Sequence, residues 1–276
     1  MATNLLFSVD EGYVQQLLVT LYSIYQNGPG HDYQVYLLSK EPLQSHDTIF
    51  NFCQSLGIGY HPIVVPSLDF DHAPTTDRYP ETIYYRLLAH EFLPQDLDRI
   101  LYLDADILCI NDIDSLYQMD MDGYLYAAAS HVAGSNVNEL VNKIRLGNPD
   151  LKSYVNSGVL LMNLPLIRQQ VDKDLMMAYI KDRANVLFLP DQDVLNALYG
   201  HTIALIDDQI YNFDVRYRSV YRIKTGGVCD LDWIMANTVF LHFCGRDKPW
   251  KKSYRGSCSG LYKHYQSRVQ KLLKQV

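Results

Sequence analysis

The sequence predicts an α/β fold: a central sheet flanked by helices, with a short helical tail at the carboxyl terminus. Three observations carry that expectation. Strand-like and helix-like segments alternate as βαβαβ through the first 65 residues, the order of parallel strands whose connecting helices lie on the sheet faces. Runs such as "ILYL" and "VLLM" are apolar throughout, which marks strands buried on both sides. Apolar residues make up 48% of the 276 and charged residues 20%, a balance that fills a core and still dissolves.

The elements follow in order. "NLLFSV" is a strand, and "YVQQLLVTLYSIYQN" has helical spacing that stops near Gly28-Pro29-Gly30. "YQVYLL" is the second strand, "PLQSHDTIFNFCQSL" a helix opening at Pro42, and "IGYHPIVV" the third strand. Residues 66–80, with three prolines and no period, read as a long functional loop. A helix is expected from Thr82 to Phe92, then the strand "RILYLDADILCI", a short helix "NDIDSLYQ" and a strand "GYLYAAA". "SNVNELVNKIRLG" looks helical, "GVLLMNL" is a buried strand, and "PLIRQQVDKDLMMAYIKDR" reads as one long helix with Pro165 in its first turn. "DQDVLNALYG" is a short helix opened by Asp191 and stopped by Gly200. Strands "TIALI" and "NTVFLHF" and a basic terminal helix complete the chain. There is no repeat or linker, so residues 1–252 form one domain and 253–276 a basic tail packed on it or extending from it.

Composition narrows the function. Five cysteines without a CxxC pair do not make a disulfide framework and suit a reducing compartment. The amino terminus lacks a basic n-region, and no stretch approaches a membrane span. The expected location is cytoplasmic, at most peripheral on the inner membrane face. After position 245 there are nine Lys or Arg against one acid, although the whole chain carries a net charge of −7. An acidic body excludes a general nucleic-acid binder. The basic tail is either a solvated helix or a weak contact for an anionic surface.

Asp104 and Asp106 are the residues that need a reason. Two apart on an extended chain, they point to the same side. About 6 Å apart, they repel by roughly 1–3 kcal/mol, and a divalent cation between them reverses the sign. The carboxyl ends of strands in open α/β sheets are also where ligands bind. Without a cation, Asp106 would cap a turn and Asp104 would take backbone amides. His242, near the end of another strand, is as a lone residue more often a satisfied core histidine. With the two aspartates it makes an O, O, N donor set that suits Mn²⁺ or, second, Mg²⁺. Lys248, Lys251, Lys252 and Arg255 follow closely and favour an anionic ligand.

These motifs resemble a known family. "FSVDEGY", "RILYLDADILCI", "YVNSGVLLMNL", "LPDQDVLNAL" and "HFCGRDKPW", in that order, are similar to those of glycosyltransferase family 8, over about residues 4–252. The resemblance implies a GT-A fold, a Rossmann-like mixed central sheet flanked by helices. It also implies a UDP-glucose or UDP-galactose donor, Mn²⁺, and transfer with retention to a glycan, glycolipid or glycoprotein acceptor. Carried over by residue, Asp104, Asp106 and His242 are the metal ligands, with Ala105 between the carboxylates at the donor. Asp10 would bind the uracil, with Ser8 beside it; read alone, Asp10 is an N-cap. Gly12 stands where the family often has Asn. Arg86 would reach the donor from a helix, Lys248 the diphosphate from a closing loop, and Gly245 would donate a backbone amide. Asn156 and Asp191 would shape the sugar pocket. Read alone, Asp191 is a helix cap.

Gln192 matches a residue on the face where a double-displacement nucleophile would sit, and Asp193 is a carboxylate sometimes given that role. The sequence leaves front-face attack and double displacement both open. "YNFDVRYRSVYRIKTGG" and the 66–80 loop are candidates for shaping the acceptor site. Two alternatives stand beside the transferase reading. One is a UDP-sugar-binding protein without turnover. The other is a haloacid-dehalogenase-type phosphatase, which would need its DxD on the first strand.

Overall fold

The computed structural model describes residues 2–28, 30, 32–65, 81–131, 143–148, 151 and 153–275. Its main sheet has seven strands in the order β3-β2-β1-β4-β7-β6-β8. These are β1 (Thr3–Ser8), β2 (Tyr33–Ser39), β3 (Gly59–Val64), β4 (Arg99–Leu103), β6 (Tyr126–Ala129), β7 (Val159–Asn163) and β8 (Ile203–Ile206). β7 runs antiparallel to β4 and β6, while the β1–β2, β1–β4, β2–β3 and β6–β8 pairs are parallel. The sheet is therefore mixed. A smaller sheet, β5-β10-β9, is built from β5 (Ile107–Cys109), β9 (Phe213–Asp214) and β10 (Phe240–His242).

Side-chain alternation sorts the core into two layers. Leu5, Phe7, Leu101 and Leu103 face one side, where helix α1 (Val14–Asn27) presents Leu17, Leu18, Leu21 and Ile24. Leu6, Ile100 and Tyr102 face the other, against Tyr84, Leu88, Ile167 and Leu195. Each such side chain stabilises the fold by roughly 1.5–3 kcal/mol through loss of water contact. Burial on both faces explains why the β4 sequence is apolar at successive positions.

That apolar strand ends where the chain leaves one sheet for the other. After Leu103 the backbone turns through Asp104–Asp106 and resumes as β5 in the small sheet. Four hydrogen bonds hold the turn. The Asp104 amide donates to the Gly158 carbonyl at 2.8 Å, and the Phe243 amide to the Asp106 carbonyl at 3.1 Å. Thr20, on α1, donates its hydroxyl to the Ala105 and Ile107 carbonyls at 3.1 and 2.7 Å. The two carboxylates thus stand at the seam between the sheets.

The segment Arg99–Ile110, read as one strand, is thus two strands in two sheets, and the elements differ from expectation in three further places. Residues 82–92 are not one α-helix: a 3-10 helix, Glu81–Leu87, is followed by one turn, Ala89–Phe92. Tyr84 through Leu88 are all buried, so no single apolar stripe imposes the 3.6-residue period. The long helix from Leu164 is two: α3 (Leu164–Gln170) and α4 (Lys173–Arg183). Asp172 divides them, its carboxylate accepting from the amides of Asp174 and Leu175 at 2.8 and 3.1 Å as a new N-cap. Helix α2 (His46–Ser55) opens four residues after Pro42, behind Ser45. In the segment 135–147, the described part is helical over 143–146. The 66–80 loop lies outside the described residues.

The remaining longer helices are α5 (Pro190–Tyr199), α6 (Arg218–Lys224), α7 (Leu231–Asn237) and α8 (Ser259–Leu272). α8 lies in the basic carboxyl-terminal segment and packs against the rest of the described fold. Tyr262 is fully buried, its ring 5.4 Å from Phe243 and 5.7 Å from Trp250. Asn27 of α1 donates to the Tyr265 hydroxyl at 2.8 Å. Among the described residues, no helix is long and apolar enough to cross a membrane.

Candidate active site

The seam gathers the predicted ligands. Asp104 and Asp106 come from the turn after β4, and His242 from the end of β10, where it pairs with Ile107 across the small sheet. One ligand atom from each of the three lies within 4.8 Å of the other two. His242 Nε2 is 3.2 Å from Asp106 Oδ1 and 3.7 Å from Asp104 Oδ2. Two hard oxygens and one imidazole fit an octahedral divalent cation that keeps positions open for a ligand. Gly158 makes the close approach possible. A Cβ there would stand 2.4 Å from His242 Cε1 and 2.7 Å from Asp104 Oδ2.

Each carboxylate carries a cationic partner. Arg86 Nη1 is 2.9 Å from Asp104 Oδ1, and the Tyr102 hydroxyl donates to the same oxygen at 2.7 Å. The buried guanidinium also contacts Asp191 through Nε at 3.3 Å, donates to the Ser157 carbonyl at 3.0 Å and lies 4.4 Å over the Tyr102 ring. Burial alone would favour loss of its proton, but Asp104 and its other neighbours hold it firmly charged. Lys248 donates its ammonium to Asp106 Oδ2 and to the Phe243 carbonyl at 2.9 Å. Burial would raise the Asp106 pKa, yet Lys248 and His242 hold the carboxylate well below the usual range.

The residues expected at the sugar form a second group. Asp191 lies inside the first turn of α5, whose N-cap position is Leu189, so it is not the cap. Its Oδ2 accepts from the Ser157 hydroxyl at 2.9 Å. Burial raises its pKa, and Arg86 only partly opposes that. Gln192 Oε1 accepts from Asn156 Nδ2 at 3.0 Å and from the Ser157 amide at 3.3 Å.

Asp193 is enclosed. Arg145 binds both its oxygens at 2.6 and 2.7 Å, the Tyr154 hydroxyl donates at 2.5 Å, and the amides of Phe188 and Leu189 donate at 2.7 and 3.2 Å. With no exposed surface, it anchors the start of α5 and offers no free lone pair to a sugar.

The first-strand residues sit at the edge of this arrangement. Ser8 donates its hydroxyl to the Thr82 carbonyl at 2.7 Å. Asp10 is exposed and its side chain makes no capping hydrogen bond, so the capping role read from sequence is not the one it plays. A Cβ at Gly12 would lie 3.2 Å from Asp10 Oδ1, which ties the two positions together. Gly245 has φ +90°, a conformation that turns the chain after β10 and suits glycine; Arg216 Nη1 lies 2.9 Å from where its Cβ would be.

In the segment expected to shape the acceptor site, Tyr221 is instead core, tilted against Phe213 at 4.7 Å and bonded to Asp208 at 2.8 Å. Asn212 and Asp214 lie close to the ligands. Asn212 Oδ1 is 2.8 Å from His242 Nδ1, and Asp214 pairs with Arg216 at 2.6 Å. Ser157, Gly158 and Asn212 were not among the residues singled out from sequence. "VNSGV" offered a signal for the first two, a small pair beside Asn156. "YNFDV" offered none for the third.

Comparison with known proteins agrees with this architecture. The model of Glycosyl transferase family 8 matches residues 4–253. A lipopolysaccharide 1,2-glucosyltransferase of Escherichia coli is 27% identical over 254 residues, covering 90% of this chain and 73% of that protein. A lipopolysaccharide 1,3-galactosyltransferase of Salmonella typhimurium is 30% identical over 64% of this chain and 51% of its own length. Among solved structures, galactosyltransferase LgtC superposes with a TM-score of 0.81 at 22% identity, over 96% of each chain. The mixed sheet and its flanking helices are the GT-A fold. With the family model spanning nearly the whole length, this chain belongs to glycosyltransferase family 8.

Proposed function

We propose that the protein is a retaining hexosyltransferase, moving glucose or galactose from a UDP-sugar to a glycan, glycolipid or glycoprotein with an α-linked product. The observation that carries the reading is the convergence of Asp104, Asp106 and His242 within 4.8 Å, beside the buried Arg86 and the half-buried Lys248. Those three residues would hold Mn²⁺, which when bound supplies Lewis-acid stabilisation of charge developing on a diphosphate.

The chain's own residues divide the remaining work. Lys248 would exchange its hold on Asp106 for a phosphate oxygen, and the Gly245 amide would donate beside it. Arg86, held by Asp104, Asp191 and the Ser157 carbonyl, places a fixed positive charge on the sugar side. Asp10 and Ser8 would meet the uridine, with Gly12 next to them. Asn156, Asp191 and Gln192 would hold sugar hydroxyls.

The enclosure of Asp193 supports front-face departure and attack. The bond from the anomeric carbon to the phosphate oxygen breaks, and the acceptor oxygen bonds to that carbon from the same face. The acceptor proton then passes to the departing phosphate. Gln192 lies on the opposite face, where an amide is a poor nucleophile.

Release of UDP from a panel of UDP-hexoses, with Mn²⁺ and water as the only acceptor, tests the reading. Slow hydrolysis of UDP-glucose or UDP-galactose that stops with chelator is expected. Tight UDP-sugar binding without release would make the protein a binder, and failure to bind any UDP-sugar would overturn the proposal.

A further inference from the structure

We propose that Asn212 is a positioning residue: it holds the His242 ring with Nε2 toward Asp104 and Asp106, and ties that ring to the sugar-side amides Asn156 and Gln192. The inference rests on the metal-site reading above, but its first readout does not.

The argument starts from donors that cannot turn around. The backbone amide of Gly158 donates to Asn156 Oδ1 at 3.0 Å, and the backbone amide of Ser157 donates to Gln192 Oε1 at 3.3 Å. These two contacts fix the orientation of both carboxamides. Asn156 Nδ2 must then face Gln192 Oε1, as it does at 3.0 Å. Asn156 Oδ1 requires a donor on its other side, and Asn212 Nδ2 supplies it at 2.9 Å. Asn212 is left with its Oδ1 toward His242 Nδ1 at 2.8 Å. An amide oxygen is an acceptor only, so Nδ1 carries a hydrogen, and Nε2, which faces Asp104 and Asp106, is the nitrogen left for a metal. The tautomer of a ligating histidine is commonly set in this way by the partner of its other nitrogen.

Burial makes the arrangement strict. Asn212 and His242 are 0% and 2% exposed, so water does not substitute for a lost partner. The backbone carbonyl of Asn212 also bonds the His131 ring at 2.9 Å, which anchors the residue from a further direction. One carboxamide thus spans from the cation side of the site to the sugar side.

Two variants separate the two halves of the proposal. Asn212→Ala removes both bonds. Asn212→Asp keeps an acceptor for His242 Nδ1 but turns an oxygen toward Asn156 Oδ1, so it breaks only the sugar-side link. The first readout is long-range ¹H–¹⁵N correlation of the histidine rings in metal-free protein. A protected Nδ1 proton on His242 is expected in the wild type and in Asn212→Asp, and is lost in Asn212→Ala, whatever reaction the protein performs.

The second readout is Mn²⁺ affinity in the presence of UDP. About a 10–100-fold loss is expected for Asn212→Ala, with Asn212→Asp within about threefold of wild type and lowered in kcat rather than in donor KM. Thermal denaturation checks that each variant folds. If Asn212→Ala does not fold, Asn212→Asp alone decides. A wild-type kcat there, or an unprotected Nδ1 proton in the wild type, overturns the proposal. An Asn212→Ala protein that folds, keeps the proton and binds Mn²⁺ like wild type does so as well.

Discussion

The two flanks of the Asp104–Asp106 turn are held by different physics. On the sugar flank, neutral amides and a buried carboxylate form closed sets: Asn156 with Gln192 and Asn212, and Asp193 with Arg145, Tyr154 and two backbone amides. On the phosphate flank, a lysine at the end of a flexible stem rests on Asp106, next to a glycine at φ +90°. Neutral buried bonds resist exchange because nothing in water replaces them without cost. A half-buried lysine on a flexible stem can leave its carboxylate for another anion more easily than a closed set of neutral bonds can be opened. Under the proposed function, the first half would shape the sugar and the second would admit and release the diphosphate.

Breaking the sugar flank should cost most. Asp193→Ala removes the buried carboxylate that accepts from Arg145, Tyr154 and two backbone amides, and a loss of about 3–5 kcal/mol in chemical denaturation is expected. If stability falls little while turnover disappears, Asp193 belongs to the chemistry and not to the scaffold. Next is Gly158→Ala, whose methyl group would displace His242 or Asp104, with a Cβ only 2.4 Å from the ring. A turnover loss of about 10²-fold is expected, as for misplacement by roughly 1 Å, with Mn²⁺ affinity falling in the same variant. Steady-state rates and calorimetric metal titration check it.

The phosphate flank should yield more gently and with opposite signs. Lys248→Ala removes a cation that competes for Asp106, so Mn²⁺ affinity without nucleotide should rise a few-fold. Donor KM should rise about tenfold, equivalent to roughly 1.4 kcal/mol. If both affinities fell together, Lys248 would be part of the scaffold and the comparison would fail.

A buried histidine away from both flanks gives the smallest effect. Burial, aided by Arg168, lowers the His90 pKa from 6.5 to about 4. Below pH 6.5 the unfolded chain binds a proton that the folded chain refuses, so stability falls as pH drops toward 4 and levels off beneath it. A loss of about 1 kcal/mol between pH 6.5 and 5.5 is expected from this group, and His90→Gln should flatten that slope in denaturation curves.

Much of this was legible in the sequence, for identifiable reasons. The run Ile100–Leu103 announced a strand buried on both faces, and two carboxylates directly after it repel each other unless a cation lies between them. Asp104, Asp106 and His242 are brought together as that reasoning required. Local signals failed where tertiary contacts outvoted them. Asp191 looks like a cap, but Arg86 and Ser157 draw it inward. Asp193 sits in a motif that reads as chemistry, but Arg145, 48 residues earlier, encloses it. Asp172 splits a helix whose period continues on both sides. Asn212 was invisible because its role depends on three partners distant in sequence: His242, Asn156 and, through Asn156, the Gly158 amide.

The most direct test of the central claim is a Mn²⁺ titration of the protein with UDP, followed by electron paramagnetic resonance of the free ion. One bound Mn²⁺ per chain is predicted, weakened about 10²-fold or more in Asp106→Asn and in His242→Ala, which would retain the wild-type fold. Stoichiometric binding in both variants with unchanged affinity would contradict the account, since the ion would then be seated somewhere other than the seam between the two sheets.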